Sequence, residues 1–148
     1  MLKDALAEIF ERDLRKLKLE IELYQNESDL WTVAGGISNS AGNLCLHLIG
    51  NLNHFIGAVL GHTGYVRDRD KEFTAKGVPR ADLLAQIDAT IGVVTKTLGQ
   101  LSAENLNQDF PEEKRGQILK TDFMLVHLLG HLSYHLGQIN YHRRLICG

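Results

Sequence analysis

Residues 127–144, HLLGHLSYHLGQINYHRR, set apolar side chains at Leu128, Leu132, Leu136 and Ile139. Steps of four, four and three keep them on one face of an α-helix and fit no alternating strand pattern. The spacing predicts a helix from about Phe123 to Leu145, capped by Thr121 or Asp122. The same stretch carries four of the seven histidines, His127, His131, His135 and His142. Histidine is neither a strong helix former nor a common core residue. A line of imidazoles beside an apolar stripe therefore calls for a chemical explanation.

Outward from this helix the same period recurs. Leu6, Ile9, Phe10, Leu14, Leu17, Ile21 and Leu23 predict a first helix over about Leu2 to Tyr24. The segment NESDLWTVAGGISNSAG breaks the pattern, and Ser38 or Ser40 caps a second helix from about Asn39 to Gly61. Leu83, Leu84, Ile87, Ile91, Val94 and Leu98 mark a third, from Arg80 or Ala81 to about Leu101. The two prolines, Pro79 and Pro111, lie in the polar connections. Helices of roughly 20–25 residues are rods of about 30–38 Å, and amphipathic rods of matched length pack as a four-helix bundle. The fold class is all-α. Connections of roughly 15–20 residues are long for such a bundle, long enough for one to cross it and leave two neighbouring helices parallel.

The 148 residues suit a single domain over 1–148, and 44% hydrophobic residues supply its core. A formal charge of −2 with mixed signs and no basic stripe argues against nucleic acid as the main partner. The chain lacks an unbroken apolar run of about 18 residues, so no membrane span is expected. Its start, MLKDALAEIFERD, lacks the apolar region of a signal peptide. Cys45 and Cys147, one far-separated pair, make neither a disulfide framework nor a cysteine zinc site. These features together predict a cytoplasmic protein of bacterial type.

A lone histidine beside a core is more often hydrogen-bonded in place than a ligand. Two at i and i+4, His131 and His135, can converge on one ion. HLSYH lacks the glutamate of the zinc-protease helix, so that chemistry is absent. Two imidazoles are half of a coordination sphere, and helix two offers His47, His54 and His62 as the third. His47 and His54 share a face but stand about 10.5 Å apart along the axis, so one ion cannot take both. Gln138, three residues beyond His135, and Asn51, four beyond His47, are placed to steady a ligand by hydrogen bond. His62 and His142, near helix ends, are expected to be exposed. The run RDRDKEF (67–73) reads as a solvated loop, from which Asp70 or Glu72 could reach the site. Gly50, Gly57 and Gly61 are costly inside a helix and point to close packing or to room beside a ligand.

The ending HLSYHLGQINYHRRLICG resembles the DinB-like superfamily, whose last helix carries HxxxH, a Gly-Gln-apolar step and a basic stretch. Here these are His131, His135, Gly137, Gln138, Ile139, Arg143 and Arg144. Trp31 before helix two and His47 within it are similar to two further marks of that superfamily. The resemblance spans essentially the whole chain, with about thirty residues carrying its specific part. It implies an up-down-down-up bundle with a divalent metal, zinc or nickel, on His47, His131 and His135. Leu136 departs from the pattern where many members carry arginine, and His54 and His127 are additional. With helices two and four antiparallel, as that topology implies, His54 and His127 would face one another near the metal, to pair, orient a ligand or bind substrate, or simply to be satisfied by backbone or water. A parallel arrangement would instead bring His54 toward His142.

Two kinds of function follow. One is a metal-dependent enzyme that activates water or a thiol for hydrolysis or thiol-dependent transfer. Its partner would be a small-molecule substrate, with low-molecular-weight thiols among the candidates the resemblance implies. The other is a non-catalytic bundle that binds a metal or small ligand in a sensing or stress-related role. The resemblance also implies pairing, and the apolar residues of helix one would suit a homodimer face.

Overall fold

In the computed structural model, which describes residues 1–147, the chain is all-helical, with no β-strand among those residues. Its helices are α1 (Leu2–Leu23), α2 (Ala41–Leu52), α3 (Arg69–Thr74), α4 (Arg80–Gln100), α5 (Ala103–Asn107) and α6 (Thr121–Ile146). A 3₁₀ turn, Glu27–Trp31, precedes α2, and α2 runs on as a π-helical stretch over Asn53–Leu60. Each long helix spans close to its expected range. The two short helices α3 and α5 form inside segments that read as loops.

The long helices pack side by side: α1 lies against α4 and α6, and α2 against the same two. The periodic residues meet in one core, with Phe10, Leu17 and Ile21 of α1, Leu48 and Leu52 of α2, Leu83, Ile87 and Leu98 of α4, and Leu128 and Leu132 of α6 all fully buried. The stripe of α1 is thus used within the chain, leaving Leu2, Leu19 and Leu23 as its exposed large apolar residues. The stretch Ala41–Leu60 is long and apolar enough to cross a membrane by composition, but 67% of its most apolar window is buried within the protein. Its hydropathy is that of a core helix.

Local chemistry sets the element ends. Ser40 caps α2, its hydroxyl accepting from the Asn43 amide. The α6 start departs from expectation. Thr121 and Asp122 are already helical, Lys120 stands before them without a side-chain cap, and the Thr121 hydroxyl donates instead to the Gln108 carbonyl. Trp31 packs over Gly42, where a Cβ would come within 2.7 Å of the indole ring. Gly57 and Gly61 face Val93 and Thr97 of α4 at similarly close range, so close packing accounts for both. Cys45 and Cys147 are both free, and complete burial pushes the Cys45 thiol up to about 12.

His62 is exposed as expected, but His142 is buried. Its Nε2 donates to the Thr32 carbonyl at 2.8 Å, and its Nδ1 accepts from the Tyr24 hydroxyl at 2.6 Å. The chain between α1 and α2 folds back over the end of α6 and covers this ring, which periodicity within α6 cannot foretell. Burial pushes the Tyr24 hydroxyl above its ordinary value, so it stays protonated and donates. Replacing Tyr24 with Phe strands the His142 acceptor in a buried site. Urea unfolding of Tyr24→Phe is expected to show a loss of about 1–3 kcal/mol, and an unchanged midpoint would mean that this bond contributes nothing.

Candidate metal centre

Helix geometry brings His131 and His135 onto one face of α6, one turn apart, and the packing of α2 against α6 sets His47 opposite them. One ring nitrogen from each of the three lies within 4.8 Å of the others, a group that could hold a metal ion. The Nε2 atoms of His47 and His131 are 3.0 Å apart. Two nitrogens each about 2.0–2.1 Å from one ion stand at roughly this separation. The ring planes meet nearly edge to face, at 77° to 88°, so their lone pairs converge and do not stack. Of the three histidines that helix two offered, the structure brings His47 alone to this cluster.

Two of the rings are held from behind. His47 Nδ1 donates to the Glu72 carboxylate at 3.0 Å, and His135 Nδ1 donates to the Gln138 side-chain oxygen at 2.7 Å. Each bond places the proton on Nδ1 and turns the Nε2 lone pair toward the cluster. Glu72 itself is gripped by Arg67, whose Nε and Nη2 reach its two oxygens at 2.9 and 3.0 Å. Burial alone would raise the Glu72 carboxyl, but hydrogen bonds from His47 and Arg67 outweigh it and hold the group below its ordinary value. His131 has no such support: its Nδ1 is buried without a partner. Burial, reinforced by the neighbouring His135 and His47, pulls its pKa down to about 3, so this imidazole is neutral. Burial also lowers His135.

Glu72 reaches the cluster because RDRDKEF is not a solvated loop. Asp68 caps α3 by accepting from the Lys71 amide, and Asn43 of α2 donates to the carbonyls of Glu72 and Ala75. This clips α3 onto α2, buries Glu72 and sets the Phe73 ring 4.8 Å from the His47 ring. Gly50 makes the approach possible: a Cβ there would lie 1.8 Å from Glu72 Oε2. Asp70, the other acid of that run, is exposed.

The remaining candidates stand apart from the three rings. His54 bonds the Glu112 carboxylate at 2.9 and 3.1 Å, and His127 is exposed, with no hydrogen bond joining the two histidines among the described residues. The segment between α5 and α6 supplies Glu112 and also sets Lys114 and Arg115 near His127. Slight burial and those two charges lower His127. The α2 ladder also changes to the wider π-helical turn at Asn53, so the seven-residue step from His47 to His54 is not a plain α-helical one. Asn51 is buried, but its side-chain oxygen has no partner and it does not steady His47. Arg67 escaped the sequence reading altogether. Its spacing of five to Glu72 belongs to no helix, and only the fold of the 61–69 segment brings the two together.

Alanine at Gly50 would occupy the place of the Glu72 carboxylate. Gly50→Ala is expected to lower stability by about 1–3 kcal/mol, the usual range for overpacking. It should also shift the His47 ring resonances in NMR spectra; unchanged resonances would show that Glu72 does not hold His47.

No curated protein matches the chain. The family model described as a protein of unknown function, DUF1572, matches residues 5–148, and the chain belongs to that family.

Proposed function

We propose that residues 1–148 form one DinB-like four-helix bundle that holds a divalent metal on His47, His131 and His135 and acts on a small molecule there. The observation that carries this reading is the convergence of three imidazole nitrogens within 4.8 Å, from two helices 84 residues apart at the closest pair. An up-down-down-up course has support from paired ends. Lys3 donates to the Gly99 and Leu101 carbonyls while Lys18 pairs with Asp88, so α1 and α4 oppose one another. Asn53 meets Thr90 and Gly61 meets Thr97, so α2 and α4 run together. Tyr24 and Glu20 reach His142 and Arg143, bringing the C-terminal ends of α1 and α6 together.

The donor set fits the group. Three imidazoles suit zinc or nickel, and three protein ligands leave positions open, as in catalytic sites. A bound ion of this kind lowers the pKa of a coordinated water or thiol toward neutrality. The chain's own part is preparatory. Glu72 and Gln138 keep protons on the outer nitrogens of His47 and His135, Arg67 holds Glu72 in place, and Phe73 shields one side of His47. Hydrolysis and thiol-dependent transfer are the reactions such a site serves.

One observation favours the non-catalytic reading. The carboxylate that touches the cluster, Glu72, is engaged by His47 and Arg67 and is not free to take a proton from a nucleophile. Cobalt-loaded protein separates the two readings. Adding 2-mercaptoethanol should produce a thiolate-to-cobalt absorption band if a position is open, and an unchanged spectrum would favour a closed, non-catalytic site.

Metal analysis of protein purified without a histidine tag or nickel column tests the site itself. The wild type is expected to carry one equivalent, and His131→Ala and His135→Ala little or none. Retention of wild-type stoichiometry by both variants would refute the assignment. Glu72→Gln should weaken affinity about 10–100-fold, while His54→Ala and His127→Ala should leave it unchanged.

A further inference from the structure

Beside the cluster lies a cavity of about 670 Å³, between residues 34–39 and the C-terminal half of α6, with His135 and Gln138 in its wall. We infer that this cavity receives the uncharged, apolar body of a small molecule whose polar end lies at the three histidines. The inference rests on the reading of that cluster given above and adds the substrate class.

Size is the first argument, since small-molecule sites commonly enclose about 300–1,000 Å³. Charge is the second. The walls include Ile37, Leu44, Tyr141, Leu145 and Ile146 and, among the described residues, contain no carboxylate, ammonium or guanidinium group. His142 also faces the cavity, but both its ring nitrogens are engaged, by Tyr24 and by Thr32, so it offers no hydrogen bond to a ligand. A charged group placed deep in this cavity would lose its hydration with no partner in return.

The polar groups are few and lie at particular places. Ser38 and Asn39 stand on the loop side. Gln138 stands next to His135, and its oxygen is occupied by that ring. Its amide nitrogen has no partner among the described residues and is available to a ligand oxygen. Gly35, in the left-handed region at φ 62°, turns the loop that forms the facing wall. Ile37, Tyr141 and Leu145 are 45%, 65% and 78% exposed and form an apolar rim, with the Arg144 guanidinium over the Tyr141 ring at its outer edge. His135 belongs both to this wall and to the three-histidine group, and that shared residue is what argues for a small molecule as the occupant.

The test is a fluorescence titration of zinc-loaded protein with N-phenyl-1-naphthylamine, an uncharged apolar dye. It is repeated with 1-anilinonaphthalene-8-sulfonate, the same ring system carrying a sulfonate. The wild type should bind the neutral dye at least about tenfold more tightly, a difference of about 1.4 kcal/mol. The double variant Ile37→Glu/Leu145→Glu, altered at exposed positions, should lose neutral-dye binding by a similar factor while keeping its circular dichroism melt and its metal. Replacing zinc by paramagnetic cobalt should quench the bound dye. Absent dye binding, equal binding of the two dyes, an unaffected double variant or an unquenched dye in protein shown to carry cobalt would each overturn the proposal. So would light scattering that shows a wild-type dimer broken by the double variant, because the face would then belong to a second copy. Dye binding at full strength in protein that takes up no metal would support the pocket and overturn the metal reading alone.

Discussion

The centre depends on one buried contact: the Glu72 carboxylate seated against the bare backbone of Gly50 and bonded to Nδ1 of His47. A carboxylate that deep in the protein needs partners, because burial disfavours its charge. Arg67 and His47 supply them. The resulting network decides the tautomer of His47, its ring orientation and the side from which its lone pair is offered. It also pins α3 across α2, so the connection between α2 and α4 becomes part of the site wall.

The two-helix origin of the cluster has a mechanical consequence. His131 and His135 are locked together by a single turn of α6, whereas His47 is located only by the packing of α2 against α6 and by Glu72. The distance between the two halves therefore follows the core, through residues such as Leu48, Leu128 and Leu132. His131 is the least supported ring, with a buried nitrogen that has no partner. Orphaned polar atoms in a packed interior are uncommon, and Asn51 Oδ1 and Arg80 Nε are two others among the described residues. The environment differs on the two sides of the centre. Toward Arg67, Lys114 and Phe55 it is cationic and aromatic, with both cations near one ring. Toward Ile37 and Leu145 the described wall is apolar, with Arg144 lying over the Tyr141 ring at its edge.

By itself the sequence determined the all-helical class, the four long helices within a residue or two at most ends, and the pairing of His131 with His135. These depend on local periodicity, which a linear chain displays directly. Gln138 beside His135 was legible for the same reason, being one turn away. His47 could be narrowed by the chain alone only to one of three histidines on helix two; its place among them came from resemblance, and its position in space from packing.

Tertiary structure decided the rest. Glu72 and Arg67 enter the site because a segment dense in charge folds into a short helix clipped by Asn43, and such a segment looks like solvent-facing loop until its partners are known. His142 is buried because a distant connection covers it, and His54 turns to Glu112 because another connection supplies a carboxylate within reach. In each case the deciding energy is desolvation matched by a hydrogen bond from a residue remote in sequence. Periodicity carries no record of such a term, since it reports only which face of an element is apolar and not what will be laid upon it.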